Sequence, residues 1–160
     1  MIISNTSPLN YLLLIGSENV LPALFRVVHI PEAVIKELSH PSTDSVVRDW
    51  VRKLPDWVVV LDCDRQDARE FESIDYGEVM AISLAMQRDG KLILMDDRDG
   101  RRVAKGLGFD VMGTLGILEA AAGQGLIEFE SIVHRLLQTG FWASAEVIQS
   151  IRSRQSKAHP

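Results

Sequence analysis

The chain has 160 residues, 46% of them hydrophobic, with a net charge of −5. That is enough apolar material for one domain with a sizeable core, no run approaches the ~20 apolar residues of a bilayer span, and the opening lacks a basic stretch followed by a long apolar one. The acidic balance excludes a passive, charge-driven nucleic-acid binder, and the lone Cys63 excludes an intrachain disulfide or zinc knuckle, so it is read as a small core residue of a soluble, cytoplasmic protein.

Strand-like and helix-like segments alternate along the chain. Met1-Ile2-Ile3-Ser4 reads as a short strand, and Ser7-Pro8-Leu9 as the start of a helix carried by Leu9, Leu12 and Leu13 to Gly16. A short helix over 20–25 leads into the β-branched run Val27-Val28-His29-Ile30, closed by Pro31, which suits the first turn of the next helix. Val34, Ile35 and Leu38 form one face of that helix, and another amphipathic helix covers 45–53. Residues 57–61 are a third strand. After a polar stretch over 62–72, Asp75-Tyr76-Gly77-Glu78 opens a helix whose buried side is marked by Val79, Ile82, Ala85 and Met86. A strand over 92–95, a basic helix over 98–106, an extended piece over 109–112 and a helix over 114–123 follow, with Gly108 and Gly125 as helix punctuation. Two further helices, 129–137 and 144–152, are joined near Gly140, and the polar tail from Ser153 is expected to fray.

This order implies a doubly wound, mostly parallel α/β sheet covered on both faces. Residues 1–127 form that unit, 128–152 a C-terminal helical appendage packed on it, a dimer arm or a lid, and 153–160 a tail. Ligands of such sheets bind outside the carboxyl ends of the strands, where strand order reverses. Asn5 follows the first strand, and Asp96, Asp97 and Asp99 follow Leu92-Ile93-Leu94-Met95. Carboxylates at the end of a buried strand are costly unless compensated. With Glu37 and Glu78 beside apolar faces, an oxygen-only donor set suits Mg²⁺ or Mn²⁺. Bunched cations, Arg98, Arg101, Arg102 and Lys105, follow the acids, and Arg152, Arg154 and Lys157 stand near the end.

Structural roles compete for the same residues. Asp75 and Glu78 fit a capping box, Asp96 or Asp99 fits the N-cap of the helix after the cluster, and Asn5 and Ser7 fit turn or cap positions. Glu37 late in its helix opposes the dipole, which disfavours a plain surface role. The strip from Arg98 to Lys105 also reads as a solvated helix face. His29, His40, His134 and His159 show no pairing at metal spacing.

Five stretches together resemble the PIN-domain ribonucleases: Ser4-Asn5-Thr6-Ser7-Pro8-Leu9, Ile30-Pro31-Glu32-Ala33-Val34-Ile35-Lys36-Glu37-Leu38, Gly77-Glu78-Val79-Met80-Ala81-Ile82, Met95-Asp96-Asp97-Arg98-Asp99 and Gly113-Thr114-Leu115-Gly116. The similarity spans residues 2 to about 127, with looser likeness through Gly140-Phe141, and is to short prokaryotic members such as VapC-like toxins. The resemblance implies a sheet of order 3-2-1-4-5 and an acidic site binding one or two Mg²⁺ or Mn²⁺ ions to hydrolyse RNA, in a toxin paired with a small antitoxin and often homodimeric. It places Asn5 at the first acid position, Glu37 at the second, Glu78 at the third and Asp97 at the fourth, with Asp99 as outer acid and Thr6 and Ser7 at the hydroxyl positions. Arg98, Arg101 and Lys105 are candidate clamps on the RNA backbone.

Asn5 departs from the pattern. An amide offers one neutral carbonyl oxygen, so metal affinity should weaken. Three readings therefore stand: a metal-dependent endoribonuclease, a catalytically silent RNA- or protein-binding PIN-like module, and an aspartyl-phosphate-forming domain using Asp96 or Asp97. The apolar helices over 7–15 and 24–38 are the expected surfaces of a homodimer.

Overall fold

A computed structural model describes residues 1–158; His159, one of the histidines without a metal-spaced partner, and Pro160 lie outside the described residues. Five strands, β1 (Ile2–Ser4), β2 (Val28–Pro31), β3 (Val58–Leu61), β4 (Leu92–Leu94) and β5 (Asp110–Met112), form one parallel sheet in the order β3-β2-β1-β4-β5. Ile3 pairs with His29 on one side and Ile93 on the other, and Ser4 pairs with Leu94. Strand order therefore reverses at β1, which places the crevice at the carboxyl ends of β1 and β4. The ladder continues beyond the strands, with Asn5 N–H donating to Leu94 O at 2.9 Å and Met95 N–H to Met112 O at 2.9 Å. Those bonds fix the backbone on which Asn5 and Asp96 stand.

The alternation of side chains along each strand assigns them to two cores. Ile3 and Ile93 point into one with Val79, Ile82 and Val103, so α5 (Tyr76–Gln87) and α6 (Arg98–Gly106) cover that face. Val28, Ile30 and Leu94 point into the other with Leu9, Leu12, Leu21, Val34, Val47 and Ile117. That face carries α1 (Thr6–Leu14), α2 (Val20–Phe25), α3 (Glu32–Leu38), α4 (Ser45–Arg52) and α7 (Thr114–Gly123). The apolar faces of α1 and α3, expected as dimer surfaces, are thus buried in the chain's own core.

A third, smaller cluster joins Ala122 on α7 to Phe129 and Val133 on α8 (Phe129–Leu137) and to Ile148 and Ile151 on α9 (Ala145–Ala158). The last helix does not stop at Arg152, and the expected frayed tail is helical as far as Ala158. Its partners explain the extension: Arg154 reaches both carboxylate oxygens of Glu119, and Gln155 donates to the Glu119 carbonyl at 3.1 Å.

Three other local expectations are corrected. Pro31 ends β2 and takes the N-cap position of α3 with ψ 146°, one residue before the helical turn. The polar stretch before α5 contains a 3-10 turn over Arg69–Ser73 that buries Phe71. α5 has no single buried side, since every residue from Gly77 to Ala85 is buried, whereas Met86 is exposed. A helix closed in on nearly all sides carries no clean amphipathic stripe for a sequence to display. Among the described residues no helix is long and apolar enough to cross a membrane.

Candidate active site

Asn5 is 4% exposed and sits at the N-cap of α1, yet its side chain makes no capping hydrogen bond. Its Oδ1 is buried with no hydrogen-bond partner; among the described residues the only other such side-chain atom is Arg48 Nε. A buried acceptor without a donor costs about 1–3 kcal/mol and calls for a missing cation, water or ligand. The cap and turn reading of this residue finds no support in its bonding.

The next residue, Thr6, donates its hydroxyl to Oε2 of Glu37 at the far end of α3. This bond explains how an exposed glutamate late in a helix is held toward the strand ends. Gly77 in the first turn of α5 faces the same carboxylate, and a Cβ there would collide with all three of its carboxyl atoms. A side chain at 77 would displace the exposed end of Glu37, so glycine here leaves the Thr6–Glu37 bond undisturbed.

Glu78 follows, 6% exposed, its Oε2 accepting the Asp75 N–H at 3.0 Å. It therefore does cap α5, as one sequence reading allowed. Burial pushes its carboxyl up to about 7, with the backbone bond from Asp75 opposing the rise and the charges of Asp97, Asp75 and Glu37 adding to it. Those three acids reach it electrostatically from α6, from the turn before α5 and from α3. Gly100 on α6 is the second close approach: a Cβ there would lie 2.6 Å from Met95 Sδ and 3.1 Å from Glu78 Cδ.

Asp97 is the N-cap of α6, its Oδ1 accepting from Asp99 N–H and Gly100 N–H at 2.9 Å each. The cap is thus neither Asp96 nor Asp99, because only Asp97 stands one residue before the first helical turn. Both capping bonds fall on one oxygen. Asp99 itself is exposed and turned to Arg102 at 3.1 Å.

Asp96 has a different task. Its Oδ1 accepts from Thr114 N–H and its Oδ2 from the Thr114 hydroxyl, both at 2.7 Å, so it ties the end of β4 to the start of α7. Burial raises its pKa, and the two Thr114 bonds and Arg101 oppose the rise. With both oxygens engaged, it offers no free carboxylate edge as a nucleophile. The role was missed because the partner lies 18 residues away; the Gly113-Thr114 helix start was the only local sign that an acid might be wanted there.

The structure thus links Thr6, Glu37, Gly77, Glu78, Gly100 and Asp97 through successive contacts at the β1–β4 crevice, with Asn5 at its edge. Among the described residues no three His, Cys, Asp or Glu side chains converge closely enough to form a metal-holding group as they stand. The donor set nonetheless fits a hard divalent cation. All its atoms are oxygens, one is a buried acceptor lacking a donor, and one carboxyl holds a pKa raised first by burial and then by the neighbouring acids. Ser7 is half-buried beside Thr6, and no hydrogen bond of its hydroxyl is seen among the described residues.

Arg98, Arg101, Arg102 and Lys105 line one depression with Asp96. Arg101 donates to Met95 O at 3.2 Å, and among the described residues neither Arg98 nor Lys105 is in an ion pair. An adjoining groove of about 460 Å³ begins at Asp96 and Arg101 and runs past α7 to Trp142 and Arg154; no motif or periodicity in the sequence singles out Trp142. Cys63 is half-buried at the edge of the core, its thiol raised in pKa first by burial and then by Asp62 and Asp64.

A family model described as a PIN domain matches residues 1–157. No curated protein and no solved structure matches the chain.

Proposed function

The chain belongs to the PIN-domain family, in general a family of nucleases, and from that premise we propose that it is a divalent-metal-dependent endoribonuclease. The observation that carries this reading is the buried, unpartnered Asn5 Oδ1 at the switch point of the sheet, on the crevice where the charges of Asp97 and Glu37 add to burial in raising the Glu78 pKa.

Asn5, Glu37, Glu78 and Asp97 would hold Mg²⁺ or Mn²⁺. Bound there, the ion would neutralise the carboxylates, acidify a water and stabilise charge building up on a phosphodiester. Thr6 fixes Glu37 by one oxygen and leaves the other free. Asp97 keeps Oδ2 free because both capping bonds use Oδ1. The exposed Arg98 and Lys105 and the half-buried Arg101 of α6 would hold RNA phosphates and carry no base preference of their own. Asp99, the outer acid, would orient the attacking water after releasing Arg102.

A labelled single-stranded RNA incubated with Mn²⁺ tests the reading. Cleavage by the native chain, stopped by EDTA and abolished in Asp97→Asn, is expected. Asn is the informative substitution because it preserves an N-cap acceptor, whereas Ala would also remove the cap of α6. Cleavage that survives EDTA or Asp97→Asn overturns the assignment.

A silent binding module is the second reading, favoured by the neutral amide at Asn5. It expects no cleavage by the native chain and a gain of cleavage in Asn5→Asp. The likeness to short prokaryotic members further supports a toxin role with a small antitoxin as partner and a homodimeric state. Growth arrest on expression, relieved by the protein encoded beside it, and a dimeric mass in light scattering support these two; growth unaffected by a cleaving enzyme overturns the first, and a monomer at micromolar concentration the second.

A further inference from the structure

We propose that the groove beside the acidic site is a base-stacking subsite for single-stranded RNA, with Trp142 as its platform; this rests on the nuclease reading and names the form of its substrate. Trp142 is 81% exposed, more than any other large hydrophobic side chain among the described residues. Its backbone is nonetheless anchored. Phe141 packs edge-on against Tyr11, with ring centroids 5.0 Å apart, and donates its N–H to Thr139 Oγ1 at 3.2 Å. On the other side Ser144 Oγ accepts from Val147 N–H at 3.2 Å in the first turn of α9. An indole held in water on a fixed backbone is a surface prepared for a flat partner.

The charge around the groove selects that partner. Within the groove the charges balance, Asp96 and Glu119 against Arg101 and Arg154, with Arg154 paired to Glu119; the surplus positive charge lies in the adjoining depression. Arg101 lines both this groove and the depression shared with Arg98 and Lys105, so a cationic track for phosphates joins the groove that Trp142 lines. A cationic track for the backbone that adjoins an exposed ring for bases is how proteins hold single strands. A duplex keeps its bases inside and cannot stack on Trp142.

The experiment titrates the full chain in EDTA with an unstructured oligoribonucleotide, its abasic analogue and a duplex, and repeats it with Trp142→Leu and Trp142→Phe. Trp50 and Trp57 are packed together, at 5.9 Å between ring centroids, but half-buried, so the difference in acrylamide quenching between the native chain and Trp142→Leu reports on Trp142. The single strand is expected to quench and shield Trp142, and Trp142→Leu to weaken its binding by about tenfold. Trp142→Phe should retain most affinity, and the abasic and duplex ligands should bind native and Leu variants alike. Equal affinity of native and Leu variants for the single strand overturns the subsite. So does a Trp142 that stays open to acrylamide in the RNA complex, which would leave the groove to a protein occupant. Cleavage with Mn²⁺ separates the two proposals: a strand stacked on Trp142 but never cut sinks the nuclease reading alone, and undiminished cutting with no loss of affinity in Trp142→Leu sinks the subsite alone.

Discussion

At position 5 an amide stands where its neighbours are carboxylates, and the energetics of the site turn on that difference. Asn5→Asp would place a buried charge beside Glu37 and Glu78, so the metal-free variant should lose stability, by about 2 kcal/mol. Mn²⁺ should restore it, giving a larger metal-induced rise in Tm than in the native chain. Thermal melts with and without Mn²⁺ check this; equal rises would mean that position 5 does not face the ion. Glu78 carries the pH dependence. Its folded pKa of about 7 lies above the ordinary 4.5, so the folded chain holds the proton more tightly than the unfolded one. In the metal-free chain the penalty is absent below about 4.5, grows as pH rises and is complete above about 7. Glu78→Gln keeps an acceptor for the Asp75 N–H and should stabilise the chain at pH 8 by about 2–3 kcal/mol, with no gain at pH 4. Urea titrations at the two pH values decide it.

Between elements, carboxylates and glycines act as joints. Asp96→Ala should cost about 2 kcal/mol, because two bonds to the first residue of α7 are lost and the Thr114 N–H and hydroxyl lose their acceptor; chemical denaturation measures it. Ala normally stabilises a helix interior relative to Gly. Gly100→Ala should do the opposite, by about 1–3 kcal/mol, since the new Cβ meets Met95 Sδ and the Glu78 carboxyl. A more stable Gly100→Ala chain would show that α6 can retreat from α5. Most elements were legible in the sequence, and α2, α4, α6, α7 and α8 begin and end within a residue of expectation, because capping residues and glycines punctuate many of their ends locally. Less legible were features set by distant partners. The burial of α5 on nearly all sides, the Asp96–Thr114 joint and the continuation of α9 along Glu119 each depend on a residue at least 18 positions away or on packing from several helices at once. Within the site, resemblance singled out Asn5, Glu37, Glu78 and Asp97, but not the Thr6 hydroxyl bond or the Gly77 and Gly100 approaches that hold them.

Taken as a whole, the molecule is a parallel sheet whose one acidic crevice lies on the same rim as the α6 cations and the Trp142 groove. The helices from Phe129 onward close the third hydrophobic cluster against α7, and we propose that they unfold together with the sheet. Ending the chain before Ser144 would uncover Ala122, Phe129 and Val133, so a lower Tm with a single transition is expected in calorimetry. A shortened chain with the native Tm would mark α9 as an independent arm. The divalent site at the crevice is tested most directly by anomalous diffraction from Mn²⁺-soaked crystals. A manganese peak contacted by Asp97, Glu78 and Glu37, with Asn5 Oδ1 turned to it or to its water, is the expected result. A crevice without a peak in crystals that bind manganese elsewhere, with Asn5 Oδ1 satisfied by an ordinary water, would contradict it.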